Sequence, residues 1–347
     1  MKILALLVEP AEYTLDLVKN IYKPNGVEYV FLKKRSLASC EGAKGTALDE
    51  LPFFSRIVKM YRLLKGYEAF NVNGYTGISC AIFIWLNVLF FRKPFSIDSD
   101  TELIIPKKPA KRFLKWLWLH FIFTRRYCFG FAGGNFGHKD LFRHYGMAEE
   151  RIYLMPMVVD NAKFKRQEQV AAHKPFRFGY LGRLVQLKQV DKIIKALPPE
   201  SELHIVGDGE AREDLERLTQ GKTVTFHGKT FGDRKIELLN SFDCLVLYSA
   251  YESWGLVVNE ALSAGIPVVV SDKIGARRDL VEGEAPTGLV AKWDDVEDLK
   301  RKFSKLATDS ELWSSLSANA LKRMQEWNYT LYNEQYKGWT KTISRRI

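Results

Sequence analysis

Residues 251–271 have the sequence YESWGLVVNEALSAGIPVVVS, which predicts a loop, a helix over 256–264 and a buried strand over 267–271. Another apolar run, residues 244–248, predicts a strand directly before the loop. The loop therefore lies where a strand ends and a helix begins in an α/β unit. Open parallel sheets bind their ligands at such positions.

The residues at the start of this helix favour an anionic ligand. In a helix that begins near Gly255, the amides of Gly255, Leu256 and Val257 have no intrahelical partner. Together with the positive end of the helix dipole, they suit a phosphate or diphosphate. Glu260, roughly 7.5 Å farther along the helix at ~1.5 Å per residue, can hold a ribose diol, and Glu252 can hold a second polyol. These groups predict a nucleotide sugar, and two solvated glutamates beside an ordinary core helix are the alternative.

The surrounding residues closely resemble the motif of retaining nucleotide-sugar glycosyltransferases of family 4, which have the GT-B fold. The resemblance is carried by Glu252, Gly255 and Glu260, followed by ALSAGIPVV at residues 261–269. It extends over about residues 176–306 and covers the N-terminal half only by architecture. It implies an α/β protein with two Rossmann-like, doubly wound domains that face each other across a cleft.

Alternating strands and helices favour the same two-domain architecture. The predicted domains are an acceptor-binding domain over 1–160, a linker over 161–175 and a nucleotide-sugar-binding domain over 176–312. In GT-B proteins the last helices cross back to the first domain, and the aromatic-rich residues 313–347 are predicted to do so. The runs that predict strands are residues 3–8, 27–32, 69–72, 94–97, 127–132, 152–155, 177–181, 203–206, 224–227, 244–248, 267–271 and 288–291.

The composition of the 347-residue chain is that of a globular protein, with 46% hydrophobic and 13% aromatic residues. Its four cysteines, Cys40, Cys80, Cys128 and Cys244, are scattered and form no CxxC pair. This pattern argues against a zinc site or a disulfide framework and favours a reducing cytosol. Residues 1–10 predict a first buried strand rather than a signal peptide. The net charge of +11 indicates an anionic partner or surface, without choosing between nucleic acid, lipid and nucleotide.

Two basic residues follow the strand predicted at 177–181. Gly182 permits a tight turn, Arg183 can hold a phosphate through two hydrogen bonds, and Lys188 adds a point charge. A basic surface loop is the alternative. The resemblance implies that both cations contact the donor diphosphate, because an Arg–Lys pair does so at this place in the family. The family often has glycine after the lysine, where this chain has Gln189.

Two further strand ends resemble parts of the family's donor site. Gly207 lies in a turn similar to the family's Gly-x-Gly loop near the nucleoside, although such turns occur in any α/β protein. Lys229, or one of its neighbours, follows the strand that the family places beside the nucleobase. Residues 271–281 also match the family pattern, and Asp279 there is predicted to stabilise a helix or loop rather than to catalyse.

The acceptor side is predicted from residues 93–102, which end a strand in the first domain. Relatives often carry a His or Asp after such a strand, next to the transferred sugar. Asp98 is therefore the candidate, with Asp100 second, and a solvated acidic loop or helix cap is the alternative. Residues 133–137 line the acceptor cleft or form only a turn. Many relatives have a glycine-rich loop after the first strand, and residues 9–13 take its place here.

A basic and aromatic segment, residues 107–126, has seven Lys or Arg and no acid. This composition is typical of a helix in an anionic membrane interface, and a core helix with a basic first turn is the alternative. No segment reaches the ~20 apolar residues of a membrane-spanning helix. Residues 78–91 come nearest and predict a core helix. We therefore expect a cytoplasmic protein, bound peripherally to the inner face of the membrane, with a lipid-linked acceptor.

Together with the resemblance, these residues predict a hexosyltransferase that moves a sugar from a nucleotide diphosphate sugar to a lipid-linked glycan. The resemblance implies that this transfer belongs to cell-surface polysaccharide synthesis. The resemblance implies a retaining mechanism without a metal ion or other cofactor, with the nucleotide sugar as co-substrate. UDP is favoured by family frequency. The predicted catalytic residues are Glu252, Arg183, Lys188 and Asp98, and the predicted donor-binding residues are Gly182, Arg183, Lys188, Gly207, Lys229, Glu252, Gly255, Leu256, Val257 and Glu260.

Two other classes of protein are compatible with parts of this pattern. One is another enzyme of the same fold, a sugar-nucleotide epimerase or a disaccharide phosphorylase, and a phosphorylase would not need the membrane segment. The remote alternative is a nucleic-acid-binding protein, which rests on the net charge alone because no nucleic-acid-binding motif is present.

Overall fold

All twelve predicted strands are present in the computed structural model, which describes residues 1–33, 47–166 and 171–345. Most are short apolar runs buried along their length, as strands of a parallel sheet covered on both faces must be. Their bounds are β1 Ile3–Leu7, β2 Glu28–Phe31, β3 Ala69–Asn73, β4 Phe95–Ser99, β5 Cys128–Ala132, β6 Ile152–Leu154, β7 Phe176–Leu181, β8 Ser201–Val206, β9 Thr223–Gly228, β10 Cys244–Leu247, β11 Val268–Ser271 and β12 Gly288–Ala291.

The strands form two six-stranded parallel sheets. The first has the order β2-β1-β3-β4-β5-β6, and the second has the order β12-β11-β10-β7-β8-β9. In both sheets the chain builds outward in one direction and then returns to build in the other. The strand order of the second sheet changes direction between β7 and β10. This change of direction is the topological switch point, where doubly wound sheets bind ligands.

Helices connect successive strands, as parallel pairing requires. The described part of the chain also contains three short π-helical turns, at Val18–Tyr22, Asn87–Phe91 and Arg277–Val281. The α-helices are α1 Glu12–Leu17, α2 Phe53–Gly66, α3 Ile78–Leu86, α4 Pro109–Phe123, α5 His138–His144, α6 Asn161–Phe164, α7 Val190–Ala196, α8 Arg212–Arg217, α9 Gly232–Asn240, α10 Leu256–Ser263, α11 Val296–Thr308, α12 Ser310–Glu326 and α13 Tyr329–Ser344.

The chain divides into two compact units, Met1–Val158 with Tyr329–Ile347, and Val159–Asn328. This division differs from the predicted change of domain at residue 313. Helix α12 stays with the second unit because Trp313 packs in that core and donates its indole N–H to the Asp243 carbonyl, at 2.8 Å. Only α13 returns to the first unit. The first residues of the predicted linker form α6 within the second unit. Residues 167–170 of that linker lie outside the described residues.

The core of the first unit lies between its sheet and helices on both faces. Met60 of α2, Phe83 of α3, Ile122 of α4 and Phe142 of α5 belong to one buried cluster against the sheet. On the other face, Trp339 of α13 packs against β5 rings; its ring centroid lies 5.1 Å from that of Phe131. The C-terminal helix is therefore part of this unit because its aromatic residues complete the second layer.

The core of the second unit is built in the same way. Ile193 of α7, Phe303 of α11 and Leu316 of α12 belong to one buried cluster with strand residues. Phe178 of β7 and Phe303 stack, with ring centroids 4.4 Å apart. Such ring pairs fix the position of a helix on the sheet beyond what area burial alone provides.

The cysteines of the described residues have no disulfide partner. Cys80, Cys128 and Cys244 are buried free thiols that fill core positions, and Cys40 lies outside the described residues. Within residues 1–33, 47–166 and 171–345, no helix is both long enough and apolar enough to cross a membrane.

Candidate functional site

The predicted donor-site residues collect at the switch point of the second sheet. Gly182, Arg183 and Lys188 follow β7, whereas Glu252 and Gly255 follow β10, the strand beside it. The two loops are joined by a main-chain hydrogen bond, from the Ala250 amide to the Leu187 carbonyl at 2.9 Å. The two halves of the predicted site, about seventy residues apart in the chain, are therefore neighbours in the fold.

Gly182 and Gly207 bring the ends of β7 and β8 into direct backbone contact. Gly207 has φ +144°, and a Cβ built on it would lie 1.8 Å from the carbonyl oxygen of Gly182. The Gly182 amide donates to the Val206 carbonyl at 3.0 Å, and the Gly207 amide donates to the Gly228 carbonyl at 2.8 Å. Glycine is needed at Gly207 because no side chain fits between these two loops.

Lys188 and Glu252 form an ion pair between the two loops. Both side chains are largely covered, with 14% and 22% of their surface exposed. A partly buried pair of this kind is costly to break unless each charge receives another partner. An anionic ligand with hydroxyl groups meets this condition, because a phosphate replaces the carboxylate at Lys188 and hydroxyl groups donate to Glu252.

The main chain around Glu252 is held in place by the neighbouring strand end. The Glu252 amide donates to the Lys273 carbonyl at 3.1 Å, and its carbonyl accepts from the Gly275 amide at 3.0 Å. A Cβ on Gly275 would lie 1.9 Å from the Ser253 carbonyl oxygen, so the two segments touch backbone to backbone. Glu252 is thus a loop residue on a rigid support, which favours a precise role for its carboxylate.

Helix α10 begins at Leu256, as the sequence predicted. Gly255 precedes it with φ +97°, and a Cβ there would lie 2.7 Å from Cδ2 of Leu247. This left-handed conformation turns the chain sharply into the helix, which only glycine does without strain. Gly255, Leu256 and Val257 are half-buried. Their amides belong to the helix turn that has no intrahelical acceptor, so they are suited to an anion.

Glu260 lies one turn farther along α10 and is buried, with 8% of its surface exposed. Its Oε1 lies 2.6 Å from Nζ of Lys235, which comes from α9. Lys235 also lies over the ring of Phe164, 5.6 Å from the centroid. The lysine offsets the cost of burying the carboxylate, and it fixes the orientation of that group.

Lys235 is a residue of the candidate site that was not predicted from the sequence. It lies on an ordinary amphipathic helix, 25 residues from Glu260, and no local spacing distinguishes it from the other lysines. Only the fold of the second unit brings the two side chains together.

The other predicted donor residues have less constrained side chains. Arg183 is exposed, while its carbonyl accepts from the Tyr180 hydroxyl at 2.8 Å. Lys229 is exposed, with its Nζ 5.0 Å from the ring centroid of Phe231.

Gln189, the residue after Lys188, has φ +50°, a left-handed conformation. This explains physically why related sequences often have glycine after the lysine, since glycine adopts that conformation without strain.

The acceptor-side candidate, Asp98, lies in the first unit. It lines a cavity of about 300 Å³ at the carboxyl ends of β1, β3, β4, β5 and β6. Asp100, Gly133, Glu9 and Tyr13 line the same cavity, so this one cavity brings together the strand-end segments singled out in the first domain. The position of this cavity agrees with the rule that ligands of open α/β sheets bind at the carboxyl ends of strands.

A series of hydrogen-bonded side chains leads from α13 through the sheet to Asp98. The Tyr336 hydroxyl donates to Asn71 Oδ1 at 2.8 Å, Asn71 Nδ2 donates to the Ser96 hydroxyl at 2.9 Å, and that hydroxyl donates to Asp98 Oδ1 at 3.3 Å. Burial of the carboxyl group raises the pKa of Asp98 to about 7, although hydrogen bonds from Ser96 and Asn73 act in the opposite direction. A carboxyl group with this pKa exchanges its proton near neutral pH.

The raised pKa of Asp98 predicts a pH-dependent stability difference. The folded protein keeps this proton between about pH 4 and pH 7, where the unfolded chain, with an ordinary aspartate pKa of ~3.9, has lost it. The contribution of Asp98 to stability is therefore lost as pH rises from about 4 to 7. We expect Asp98→Asn to gain stability relative to the wild type across this window, with no further change above it. Urea unfolding at several pH values measures the difference, and parallel curves would contradict the assignment.

A second cavity of the first unit lies at the opposite edge of its sheet. It has a volume of about 1200 Å³, and Arg92, Lys93 and Arg125 line it, but no predicted site residue does. Two of these cations hold helix-terminal carbonyls: Lys93 Nζ donates to Leu64 at 2.6 Å, and Arg125 Nε donates to Phe121 at 2.9 Å. Their role there is to stabilise the C-terminal ends of α2 and α4.

Residues 161–323 match the family described as glycosyl transferases group 1. This part of the chain is a glycosyl transferases group 1 domain. Every predicted donor-binding residue, from Gly182 to Glu260, lies within the matched residues of that domain. Asp98 lies outside it.

Named relatives of this group 1 domain include glycosyltransferases from plants and bacteria. Sulfoquinovosyl transferase SQD2 of Arabidopsis thaliana is 30% identical over 217 residues, covering 57% of this chain and 42% of SQD2. The capsular polysaccharide biosynthesis glycosyltransferase CapM of Staphylococcus aureus is 28% identical over 178 residues, covering 48% of this chain and 46% of CapM. The chain thus matches less than half the length of these two relatives.

A solved structure resembles the chain over its whole length. HepE of Anabaena, crystallised in complex with UDP, has a TM-score of 0.77 and 18% sequence identity, with coverage of 99% of this chain and 100% of HepE. Together with the two six-stranded parallel sheets, this likeness confirms the predicted two-domain GT-B fold around the group 1 domain.

Proposed function

We propose that the chain is a hexosyltransferase that uses a nucleotide diphosphate sugar, with a UDP-sugar as the favoured donor. The observation that carries this proposal is the pairing of Lys188 with Glu252 at the switch point, beside the first turn of α10. These groups offer a phosphate site and a sugar site next to each other. The crystal complex of HepE with UDP supports the choice of uridine.

In the proposed donor complex, each group has one task. Arg183, Lys188 and the amides at the start of α10 stabilise the departing diphosphate, the main electrostatic contribution to the rate. Glu260, oriented by Lys235, accepts hydrogen bonds from the ribose. Glu252, released from Lys188, accepts hydrogen bonds from the transferred sugar. The cations and amides neutralise the leaving group, so we propose that the reaction proceeds without a metal ion.

We further propose that the enzyme is a retaining transferase of family 4. The acceptor hydroxyl then attacks from the side on which the nucleotide leaves, and the leaving phosphate helps to remove its proton. Asp98 stays a candidate for a second proton acceptor, supported by its pKa of about 7 and its place in the cavity of the first unit.

We propose a lipid-linked glycan as the acceptor, in a cell-surface polysaccharide pathway at the inner face of the membrane. The relative CapM, a capsular polysaccharide biosynthesis glycosyltransferase, supports the pathway. The segment 107–126, with seven cations and no acid, supports membrane binding. Thr101 lines the cavity of the first unit, and the exposed Ile104 and Ile105 follow three and four residues later. An acceptor held by its lipid at this surface would have its sugar near the cavity.

A thermal-shift panel with UDP, GDP, ADP and CMP, each with and without magnesium, tests the donor assignment. A ligand at ~100 times its dissociation constant stabilises a protein by about 2.7 kcal/mol. We expect UDP to raise the melting temperature most, with the same shift in EDTA. No shift with any nucleotide would contradict the proposed donor site, and a shift only with magnesium would contradict the metal-independent mechanism.

Replacing Glu260 tests the ribose assignment. Glu260→Ala is expected to weaken UDP binding by about tenfold to a hundredfold, since hydrogen bonds to a charged group contribute ~1.5–3 kcal/mol each. Lys235→Gln is expected to cause a smaller loss, because the carboxylate remains but loses its fixed orientation. Glu237→Ala, which removes an exposed carboxylate of α9, is the matched control. Unchanged UDP affinity in a folded Glu260→Ala protein would remove Glu260 from this role.

A further inference from the structure

The first unit exposes an unusually large set of apolar side chains on three helices. Of the 20 large apolar residues that are exposed in the described parts of the chain, 14 lie within residues 51–67, 74–97 and 103–126. These segments contain α2, α3 with its following π-helical turn, and α4. Phe54, Phe90 and Leu114, one from each segment, are 79%, 70% and 63% exposed. A soluble surface rarely exposes so much contiguous apolar area without a partner.

The three segments form one continuous surface, here called the apolar face. Their helices all pack on the same side of the first sheet, through Met60, Phe83 and Ile122. Contacts between aromatic rings connect neighbouring segments. The ring centroids of Trp85 of α3 and Trp118 of α4 are 5.6 Å apart, and those of Tyr61 of α2 and Phe91 are 5.3 Å apart. Residues 78–91 were predicted to form a core helix, but only one side of that segment is buried.

The charge of the chain is concentrated on the same segments. They hold 13 Lys or Arg and no Asp or Glu, out of 52 basic and 41 acidic residues in the whole chain. Without them, the chain would have 39 basic and 41 acidic residues. The excess positive charge of the protein therefore belongs to these three segments, and it accompanies the exposed aromatic and aliphatic side chains.

This combination identifies the partner by its chemistry. A bilayer with anionic headgroups offers an apolar layer for the exposed rings and a negative surface for the cations. A second copy of the chain would bring two faces of the same positive charge together, because a two-fold interface pairs each patch with itself. Repulsion between the exposed cations of the two faces, among them Lys59, Arg62 and Lys65 of α2, disfavours such a dimer.

We propose that the apolar face, formed by α2, α3 and α4 together, docks the first unit onto an anionic lipid bilayer. It extends the membrane contact beyond residues 107–126 to two helices on the same side of the sheet. Phe53 and Phe54 of α2, and Leu89 and Phe90 after α3, enter the boundary between headgroups and acyl chains. Lys59, Arg62 and Lys65 of α2 lie against the lipid phosphates.

Co-sedimentation with vesicles tests the choice of partner. One set of vesicles is pure phosphatidylcholine, and the other is an equal mixture with phosphatidylglycerol. We expect the full chain to sediment with the mixed vesicles and to be released as salt is raised, because screening weakens the electrostatic part. Equal binding to both sets, or binding to neither, would overturn the proposal. Concentration-dependent dimers without vesicle binding would assign the face to a second copy instead.

Variants outside α4 test the three-helix surface. Phe54→Ser and Phe90→Ser are each expected to lower partitioning into mixed vesicles by about tenfold, the effect of withdrawing one aromatic side chain from an apolar layer. Phe231→Ser, at a 59%-exposed position of the second unit, is the matched control and is expected to leave partitioning into vesicles unchanged. Wild-type binding by both Phe54→Ser and Phe90→Ser would limit the contact to α4 and overturn the proposal.

Charge variants separate docking from folding and from the proposed donor site. The double variant Lys59→Gln with Arg62→Gln is expected to lower partitioning into mixed vesicles by about fivefold for each charge removed. The control is the double variant Lys300→Gln with Lys305→Gln, on the exposed side of α11, which is expected to keep wild-type partitioning. Each docking variant is expected to keep the wild-type thermal shift with UDP. A variant that keeps this shift and loses vesicle binding supports docking, even if the acceptor is not a lipid. If wild type and variants alike lack a UDP shift, the donor proposal fails and the vesicle result still stands.

Discussion

Lys188→Met is expected to lower kcat/KM for sugar transfer by about 10²- to 10³-fold, the loss typical of removing one preorganised group from developing negative charge. Unlike the exposed Arg183, Lys188 is held at the switch point by its pair with Glu252 and by the turn Gln186–Lys188. The variant also leaves the Glu252 carboxylate without its cation. We therefore expect weaker UDP binding as well as a lower kcat.

The control for Lys188 is Lys195→Met, because Lys195 is a 53%-exposed lysine of α7 that pairs with Asp191. Lys188→Arg keeps the charge and is expected to retain part of the activity, with the loss set by the different shape of the guanidinium. Steady-state kinetics with the donor varied, together with circular dichroism, separates catalysis from folding. Wild-type kcat/KM in a folded Lys188→Met protein would remove the cation from the mechanism.

Gly207→Ala is expected to destabilise the protein by about 3–5 kcal/mol, a loss in the range of severe backbone conflicts. The new Cβ would lie 1.8 Å from the Gly182 carbonyl oxygen, and the residue has φ +144°. The contact is with backbone, so no side-chain rotation relieves it. Any relaxation must move the loop that carries Arg183, and UDP binding is expected to fall with stability.

Two other glycines make this prediction specific. Gly221 has φ +74° but open space around its Cβ position, so Gly221→Ala meets only the backbone strain, about 1 kcal/mol. Gly66 has neither a positive φ nor a close neighbour, so Gly66→Ala is expected to be neutral or slightly stabilising. Urea denaturation is expected to rank the losses Gly207 > Gly221 > Gly66. Equal losses at Gly207 and Gly221 would show that the contact with Gly182 is relieved at little cost.

Much of the fold could be predicted because its strands are local apolar runs. The run at 203–206 became β8 Ser201–Val206, and the run at 94–97 became β4 Phe95–Ser99. Such runs, separated by amphipathic helices, leave parallel sheets covered on both faces as the stable arrangement. The start of α10 was also local information, because Gly255 and the residues after it specify a turn into a helix.

Other predictions depended on contacts that no local pattern contains. The tail was predicted to change domain at residue 313, but the position of Trp313 beside Asp243 keeps α12 in the second unit. The segment 78–91 has an apolar composition typical of a core helix, yet the sheet covers only one of its sides. Composition states how much apolar surface exists, whereas the packing of α2, α3 and α4 decides which part faces water.

The strands, the helix start at Leu256 and the family resemblance could be read from the chain alone, because each depends on residues adjacent in the chain. Which charges meet became visible only in the folded protein. Lys188 pairs with Glu252, 64 residues away in the sequence, and Lys235 pairs with Glu260, 25 residues away. Such pairs form because the fold brings together segments that are distant in the chain, such as the ends of β7 and β10. Their energy depends on burial and distance, which are properties of the folded chain.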